Sequence, residues 1–281
     1  ALLGILTVII IYFLTFEFFG KKWLSLSCAL LLAINPWHIQ FSRAAFEANM
    51  ALSLNILGIY LFLKSEKKKY WLLFSVISFG LSLFSYQASR IFVPMMVFVL
   101  LIIYRNRIDF KDRLTKISAV IVLVFILILV TTFLSGQTNR LSAMSYFAYQ
   151  RTDEKIQLIS KEDGLEIGSL QFQFLHGEWF EYVKGLMERY LIYFSPKMLF
   201  IDGDYSERHS VPDLGVLYFF SIALIPLGLF TLIKSWGQSS KPIIFWLLLA
   251  PIPAVLSRDL ISTLRALNMV IPYAILEGMG L

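Results

Sequence analysis

Long apolar runs alternate with short polar breaks along this chain, and the spacing predicts a stack of helices that cross a bilayer. Residues 1–19 are apolar almost throughout and stop at the basic turn Gly20-Lys21-Lys22. A second run from Trp23 reaches Asn35-Pro36, and a third, from about Phe46 to Leu63, ends in a basic tract, Lys64 to Lys69. Tyr70 to Tyr104 is too long for one ordinary crossing, at ~1.5 Å per helical residue against a ~30 Å hydrocarbon core. The polar interruption from Ser85 to Arg90, with Pro94 close behind, divides it into two short crossings that meet at one tip. Ile117 to Leu134 is a further span, and a long polar segment follows it. The bilayer pattern returns at about Leu214 to Ile233, at Pro242 to Leu256 and in a last run that ends at Leu281. The fold class is therefore all-α, a polytopic helical membrane protein. Residues 1–134 form transmembrane helices with outward tips at 35–50 and 85–94. Residues 135–213 form one long outward loop, and residues 214–281 form the C-terminal transmembrane helices. Aromatic residues of mixed spacing between Trp179 and Phe200 predict an amphipathic helix on the membrane surface within that loop.

Composition agrees with this class. The chain is 58% hydrophobic with mean hydropathy +0.71, more apolar surface than a soluble core of 281 residues needs. The net charge of +6 does not indicate a nucleic-acid partner, because the basic residues sit in short loops beside the apolar runs. Loops near 20–22, 64–69, 105–116 and 234–241 carry most of them, whereas the short loops on the opposite side carry only Arg43, Arg90, Arg258 and Arg265. The positive-inside rule then places these four arginines and the 135–213 loop outside, with a prokaryotic plasma membrane as the expected location. The single cysteine, Cys28, excludes an internal disulfide. The chain opens at Ala1 and closes at Leu281 inside apolar runs, so it reads as an internal piece of a longer membrane protein.

The stretch Asn35 to Met50 concentrates the chemistry. It holds Asn35, His38, Gln40, Arg43, Glu47 and Asn49 between apolar runs, where a charge costs roughly 2.5–3.5 kcal/mol on insertion scales. Asn35-Pro36 reads as a helix start, and a helix running on from it would put Gln40, Arg43 and Glu47 on one face. That arrangement suits either an ion pair that orients two helices or a ligand site. Outward helix ends of one bundle come together, so Arg43, Arg90, Arg208 with His209, and Arg258 with Arg265 are candidates to converge on an anion. The planar fork of a guanidinium matches phosphate oxygens. Tyr86, one turn before Arg90, would add a phenolic donor. The competing role for each arginine is to cap a helix C-terminus or to snorkel to headgroups. Arg43 and Arg208 favour the anion; Arg258 and Arg265 favour the cap or the snorkel. Asp202-Gly203-Asp204 resembles a metal-binding acid pair, but a turn with exposed carboxylates accounts for it better. The three histidines are too scattered for a zinc site. Walker, dinucleotide, nucleophile-elbow and HExxH patterns do not occur, which argues against an ATPase, a dehydrogenase, a serine hydrolase and a zinc protease.

Several segments, taken in order, are similar to GT-C glycosyltransferases of the protein O-mannosyltransferase and lipid A aminoarabinose transferase type. They are Pro36 to Glu47 (PWHIQFSRAAFE), Tyr86 to Pro94 (YQASRIFVP), Phe200 to Asp204 ahead of Arg208 to Gly215, and Pro251 to Pro253 leading to Arg265-Ala-Leu and Pro272. The resemblance implies an integral membrane enzyme that moves a sugar from a polyprenyl-phosphate carrier to a protein, lipid or glycan acceptor on the non-cytosolic face. It implies that Arg43, Arg208, His209, Tyr86 and Arg90 hold the donor phosphate, with Glu47 supporting and with His38 and Arg265 as secondary candidates. The catalytic base of the family would precede Ala1, so this chain alone is expected to be inactive. No firm cofactor follows; the lipid-linked sugar is the donor, and a divalent metal stays open. Residues 152–177 match no pattern of the family. A flippase of lipid-linked sugars is the alternative, although the paired broken helices of a repeat fold are not visible; a non-catalytic scaffold is another.

Overall fold

The computed structural model describes residues 1–43, 46–107, 109, 111–134, 145–148, 153–206, 208–211 and 214–281. Among them no β-strand occurs; two isolated bridges, Ser145 with Ser257 and Val211 with Leu214, are the only extended pairings. Six helices build the first half: α1 (Leu2–Phe19), α2 (Lys22–Ile34), α3 (Pro36–Arg43), α4 (Glu47–Lys64), α5 (Tyr70–Ser85) and α6 (Ser89–Ile103). The long helix α7 (Arg113–Leu134) follows, then α8 (Asp153–Asp163), α9 (Leu170–His176) and α10 (Glu178–Ile192). A π-helical turn at Lys197–Asp202 leads on to α11 (Ser221–Lys234), α12 (Ser240–Leu249), α13 (Ile252–Val255) and α14 (Val270–Gly280).

Two of these helices, α1 and α7, are each long and apolar enough to cross a membrane. A third crossing results if α2 and α3, bent by 58° at Asn35, count as one span. The bend follows from chemistry: Pro36 has no N–H to continue the ladder, so it breaks α2 and starts α3. The Asn35 side chain then accepts the His38 backbone N–H at 3.2 Å. α7 is exposed along most of its length, as a lipid-facing helix should be. α4 is the opposite case, with most of its residues buried against α1 and α5. Two expectations need correction. The span predicted from Leu214 is helical only from Ser221, and the one predicted over Pro242 to Leu256 is broken around Ala250 and Pro251 into α12 and α13.

Close approach between helices depends on small residues, because lipid supplies no hydrophobic drive to squeeze helices together. Gly228 of α11 lies against the Leu276 backbone, and Gly280 of α14 lies against that of Leu224; a Cβ at either would collide with a main-chain carbonyl. Polar side chains knit α4, α5, α6 and the turn before α14. Asn55 is fully buried and donates to Asn268 Oδ1 (3.1 Å) and Ser89 Oγ (3.4 Å), and it accepts from Ser82 Oγ (2.5 Å). Such interhelical bonds contribute about 0.6–2 kcal/mol each. Asn55→Leu keeps the volume but strands Asn268, and is expected to lower the free energy of unfolding in detergent, read from the denaturant midpoint, by about 1–2 kcal/mol. An unchanged midpoint would show that the network contributes nothing.

The two ends of the bundle differ in character. At one end the Lys67 ammonium meets Glu17 at 2.6 Å, and Tyr104 donates to the Gln238 carbonyl at 2.8 Å. This gathers the ends of α1, α4, α6 and α11 with their basic loops. The opposite end carries the segments around Arg43, Tyr86, Arg208 and Arg265.

Candidate functional site

α3 is the strut on which this second end is built. Its Trp37 is buried and donates from Nε1 to the Thr263 carbonyl (3.2 Å), and Gln40 Nε2 donates to the Arg208 carbonyl (3.2 Å). Phe41 is fully buried; its ring lies 5.1 Å from Phe46 and 5.7 Å from His209, and Phe46 lies 5.7 Å from His209 as well. One short helix thus grips two segments more than 160 residues further along the chain. His38 is buried too, beside Ser42 Oγ at 3.4 Å, under the rim and away from its open surface.

The second grip comes from Asp204. Gly203 takes a left-handed backbone (φ 66°) to turn out of the π-helical turn and aim Asp204 inward. Its Oδ2 accepts both the backbone N–H and the hydroxyl of Thr263, each at 2.7 Å, and its Oδ1 accepts the Ser206 N–H at 2.9 Å. His209 Nδ1 stands 3.6 Å from Oδ2, beyond hydrogen-bond length but within reach of its charge. Burial alone would raise the Asp204 carboxyl, yet the imidazole and the donors from Ser206 and Thr263 outweigh it and hold the group below the ordinary carboxylate value. This corrects the expectation of two exposed turn carboxylates. Asp202 is exposed and faces Lys197 at 3.3 Å, whereas Asp204 is a buried latch with both oxygens occupied. Among the described residues no three metal-ligating side chains gather.

The third element is the tip between α5 and α6. Tyr86 is half-buried here. Burial pushes its phenol up to about 12, with Arg265 pulling it down and the carboxylates of Glu47 and Asp259 pushing it further up. At neutral pH the phenol is therefore a hydrogen-bond donor with a cation and two anions nearby. Arg90 behaves as a cap: its Nε donates to the Leu83 carbonyl (3.2 Å) near the end of α5. Arg265 does not cap a helix. Its side chain is only 11% exposed, and Nη1 donates to Ser257 Oγ (3.2 Å) and pairs with Asp259.

Arg43 and Glu47 stand differently from the sequence reading. Phe46 has extended backbone and Glu47 opens α4, so Arg43 and Glu47 are not one turn apart on a common face of one helix. Arg43 is exposed and has no ion-pair or hydrogen-bond partner among the described residues. Arg208 is exposed as well, with its backbone held by Gln40. The resulting rim carries two open guanidinium groups, on α3 and on the 208 segment, and the latched His209 beside them. Glu47, at the start of α4, lies near Tyr86.

Comparison with known proteins bears on this architecture. Residues 1–132 match the family model described as dolichyl-phosphate-mannose-protein mannosyltransferase. None of the curated proteins matches the chain significantly. The structure of the Archaeoglobus fulgidus oligosaccharyltransferase in its apo form superposes with a TM-score of 0.52 at 14% identity, over 99% of this chain and 38% of that one. The chain has the GT-C fold.

Within this fold two supporting residues carried no sequence signal. Arg189 of α10 donates to the Ser257 carbonyl at 2.8 Å and sits over the Tyr146 ring at 4.4 Å, clamping the 257–259 turn. Thr263 receives the Asp204 latch and supplies the carbonyl for Trp37. Both act over sequence separations that no local pattern encodes.

Proposed function

We propose that the full-length protein is a glycosyltransferase that takes a sugar from a polyprenyl-phosphate carrier and passes it to an acceptor on the non-cytosolic face, in a prokaryotic plasma membrane. The observation that carries this reading is the double tether at the rim: Gln40 on the Arg208 carbonyl, and Asp204 on Thr263. It holds the backbone of the Arg208 segment against α3, which carries the exposed Arg43, at the end of the bundle away from the basic loops. The GT-C fold supports the class of reaction. The family name supports a lipid-phosphate donor. The excess of basic residues at the opposite end supports the rim facing outward.

In this reading the acceptor oxygen attacks the anomeric carbon as the bond to the carrier phosphate oxygen breaks. The acceptor proton goes to a carboxylate base, which the resemblance puts on the first outward loop of the family. Arg43 and Arg208 balance the negative charge that grows on the departing phosphate, and the protonated Tyr86 donates to it. Glu47 and Asp204 keep the rim from excess positive charge. Incubating full-length protein with a polyprenyl-phosphate sugar should release the lipid phosphate in step with glycosylated acceptor. Tyr86→Phe should slow release about tenfold, the loss of roughly 1.4 kcal/mol in the transition state. Absence of release with any lipid-linked sugar would overturn the reading.

A further inference from the structure

Away from the rim, α5 packs against α6 and against α7, and the three helices enclose a groove of about 440 Å³. Its walls are Phe79 and Leu83 of α5, Val97 and Leu101 of α6, and Val122 and Ile126 of α7. The hydroxyls in the lining are already engaged. Ser75 Oγ donates to the Gly58 carbonyl (2.7 Å), Ser118 Oγ to the Leu114 carbonyl (2.9 Å) and Thr115 Oγ1 to Asp112 Oδ2 (3.2 Å). The interior is therefore hydrocarbon, with no hydroxyl donor left for a sugar or a peptide. From Thr115 to Ile126 the α7 wall runs roughly 16 Å, at ~1.5 Å per residue, about half of a ~30 Å hydrocarbon core. At the far end Phe125 lies against Gly80, where a Cβ would meet its ring, and 6.0 Å from the Phe84 ring. The near end is the one with the basic loops. There each helix carries a basic residue about one turn from its wall: Lys69 before Leu72, Arg105 after Leu101 and Lys116 before Ala119. Arg105 and Lys116 are exposed. The acidic neighbours are Glu66 and Asp109 on the flanking loops and Asp112, which accepts the Thr115 N–H at 2.9 Å and feels the charge of Lys69.

We infer that this groove holds one acyl chain of an anionic glycerophospholipid from the leaflet on the side of the basic loops, with Lys69, Arg105 and Lys116 around its headgroup. Two features carry the argument together, the dry groove and the charge at its mouth. An unfilled groove leaves its wall atoms without contacts on one side, so a hydrocarbon chain belongs there. Moving a chain from bilayer to groove gains little by itself, because lipid tails are as apolar as the walls. Selection among lipids therefore falls to the headgroup. Basic side chains from three helices at one mouth favour a negative headgroup over a zwitterionic one. The depth fits a chain from one leaflet, and the mouth lies at the end of the bundle opposite Arg43 and Arg208. The site does not rest on the transferase reading.

The test strips full-length protein of lipid in detergent and counts rebound lipid by native mass spectrometry. The probes are palmitoyl-oleoyl phosphatidylglycerol, the phosphatidylcholine with the same chains, and undecaprenyl phosphate. Phosphatidylglycerol should bind about tenfold more tightly than phosphatidylcholine, the combined effect of more than one basic residue near the headgroup. Arg105→Gln and Lys116→Gln should each weaken it about fivefold. Lys22→Gln, on the first turn of α2 and away from the groove, should leave it unchanged. Val122→Trp fills the groove from the lipid-facing side of α7 and should weaken phosphatidylglycerol several-fold. Ala119→Leu should do the same, and it decides if the tryptophan variant does not fold. Equal binding of the two phospholipids overturns the inference. So does an affinity indifferent to the filling variant, or one that Lys22→Gln lowers as much as Lys116→Gln does, since diffuse attraction to a basic surface predicts both. Undecaprenyl phosphate that binds more tightly than phosphatidylglycerol, and is lost with Val122→Trp, would give the groove to a polyprenyl chain and overturn the phospholipid assignment.

Discussion

Arg43→Ala in the full-length protein is expected to cut sugar transfer by ~10²–10³, the usual cost of removing one preorganised donor from a developing oxyanion. The expectation rests on where Arg43 stands: on the last turn of α3, exposed, with no partner among the described residues and next to a segment that Gln40 ties to Arg208. The competing role makes a different prediction. A cation at a helix C-terminus stabilises the helix by about 0.3–1 kcal/mol, so a cap would show its loss in unfolding and leave turnover intact. The two are separated by measuring single-turnover transfer and thermal unfolding on the same sample. Arg43→Lys sharpens the contrast. It keeps the charge for a dipole but loses the planar fork, so it should restore stability fully and transfer only in part. Near-normal turnover by the alanine variant would reject the assignment.

The apolar runs made most of the bundle legible, since twenty residues without charge have few other uses. The proline break at Asn35-Pro36 and the tip at Tyr86 were legible for the same reason, being polar or helix-breaking residues set between such runs. The end of α3 was not. Ala44, Ala45, Phe46 and Glu47 carry good helix propensity, so the sequence continues the helix past Arg43. Phe46 has extended backbone, and its ring packs on Phe41 and His209, a contact with a residue far along the chain. Tertiary packing at that one position separates Arg43 from Glu47 and turns one predicted face into two. Asn55, in mid-span, has its partners on three other segments, which no local pattern encodes. Asp204 was misread because the residue that makes it a latch, Thr263, lies 59 positions away. Arg265 read as a cap or a snorkelling side chain; only the side-chain geometry shows it committed to Asp259.

Asp204→Ala is expected to be the most destabilising of the substitutions considered. Hydrogen bonds to a charged group contribute roughly 1.5–3 kcal/mol each, and truncation strands the Thr263 N–H and hydroxyl in a buried site. A loss of about 3 kcal/mol follows, with transfer falling as well because Arg208 and His209 lose one of their two tethers. The pH dependence gives an independent signature. Asp204 is held below the ordinary carboxylate value in the folded state, so it binds a proton less readily folded than unfolded. Its stabilisation is fully present above the unfolded value of about 3.9 and disappears as pH falls through the lower folded value. Asp204→Asn removes the charge and turns an amide donor or a neutral oxygen toward the Thr263 donors, so it should be less stable than the natural protein at pH 7. Below pH ~4 the gap between the two should narrow. Melting curves of both proteins in detergent, compared point by point from pH 7 down to the acid limit, measure that gap, and a difference that stays constant over the whole range would show that Asp204 is not the charged latch of this rim.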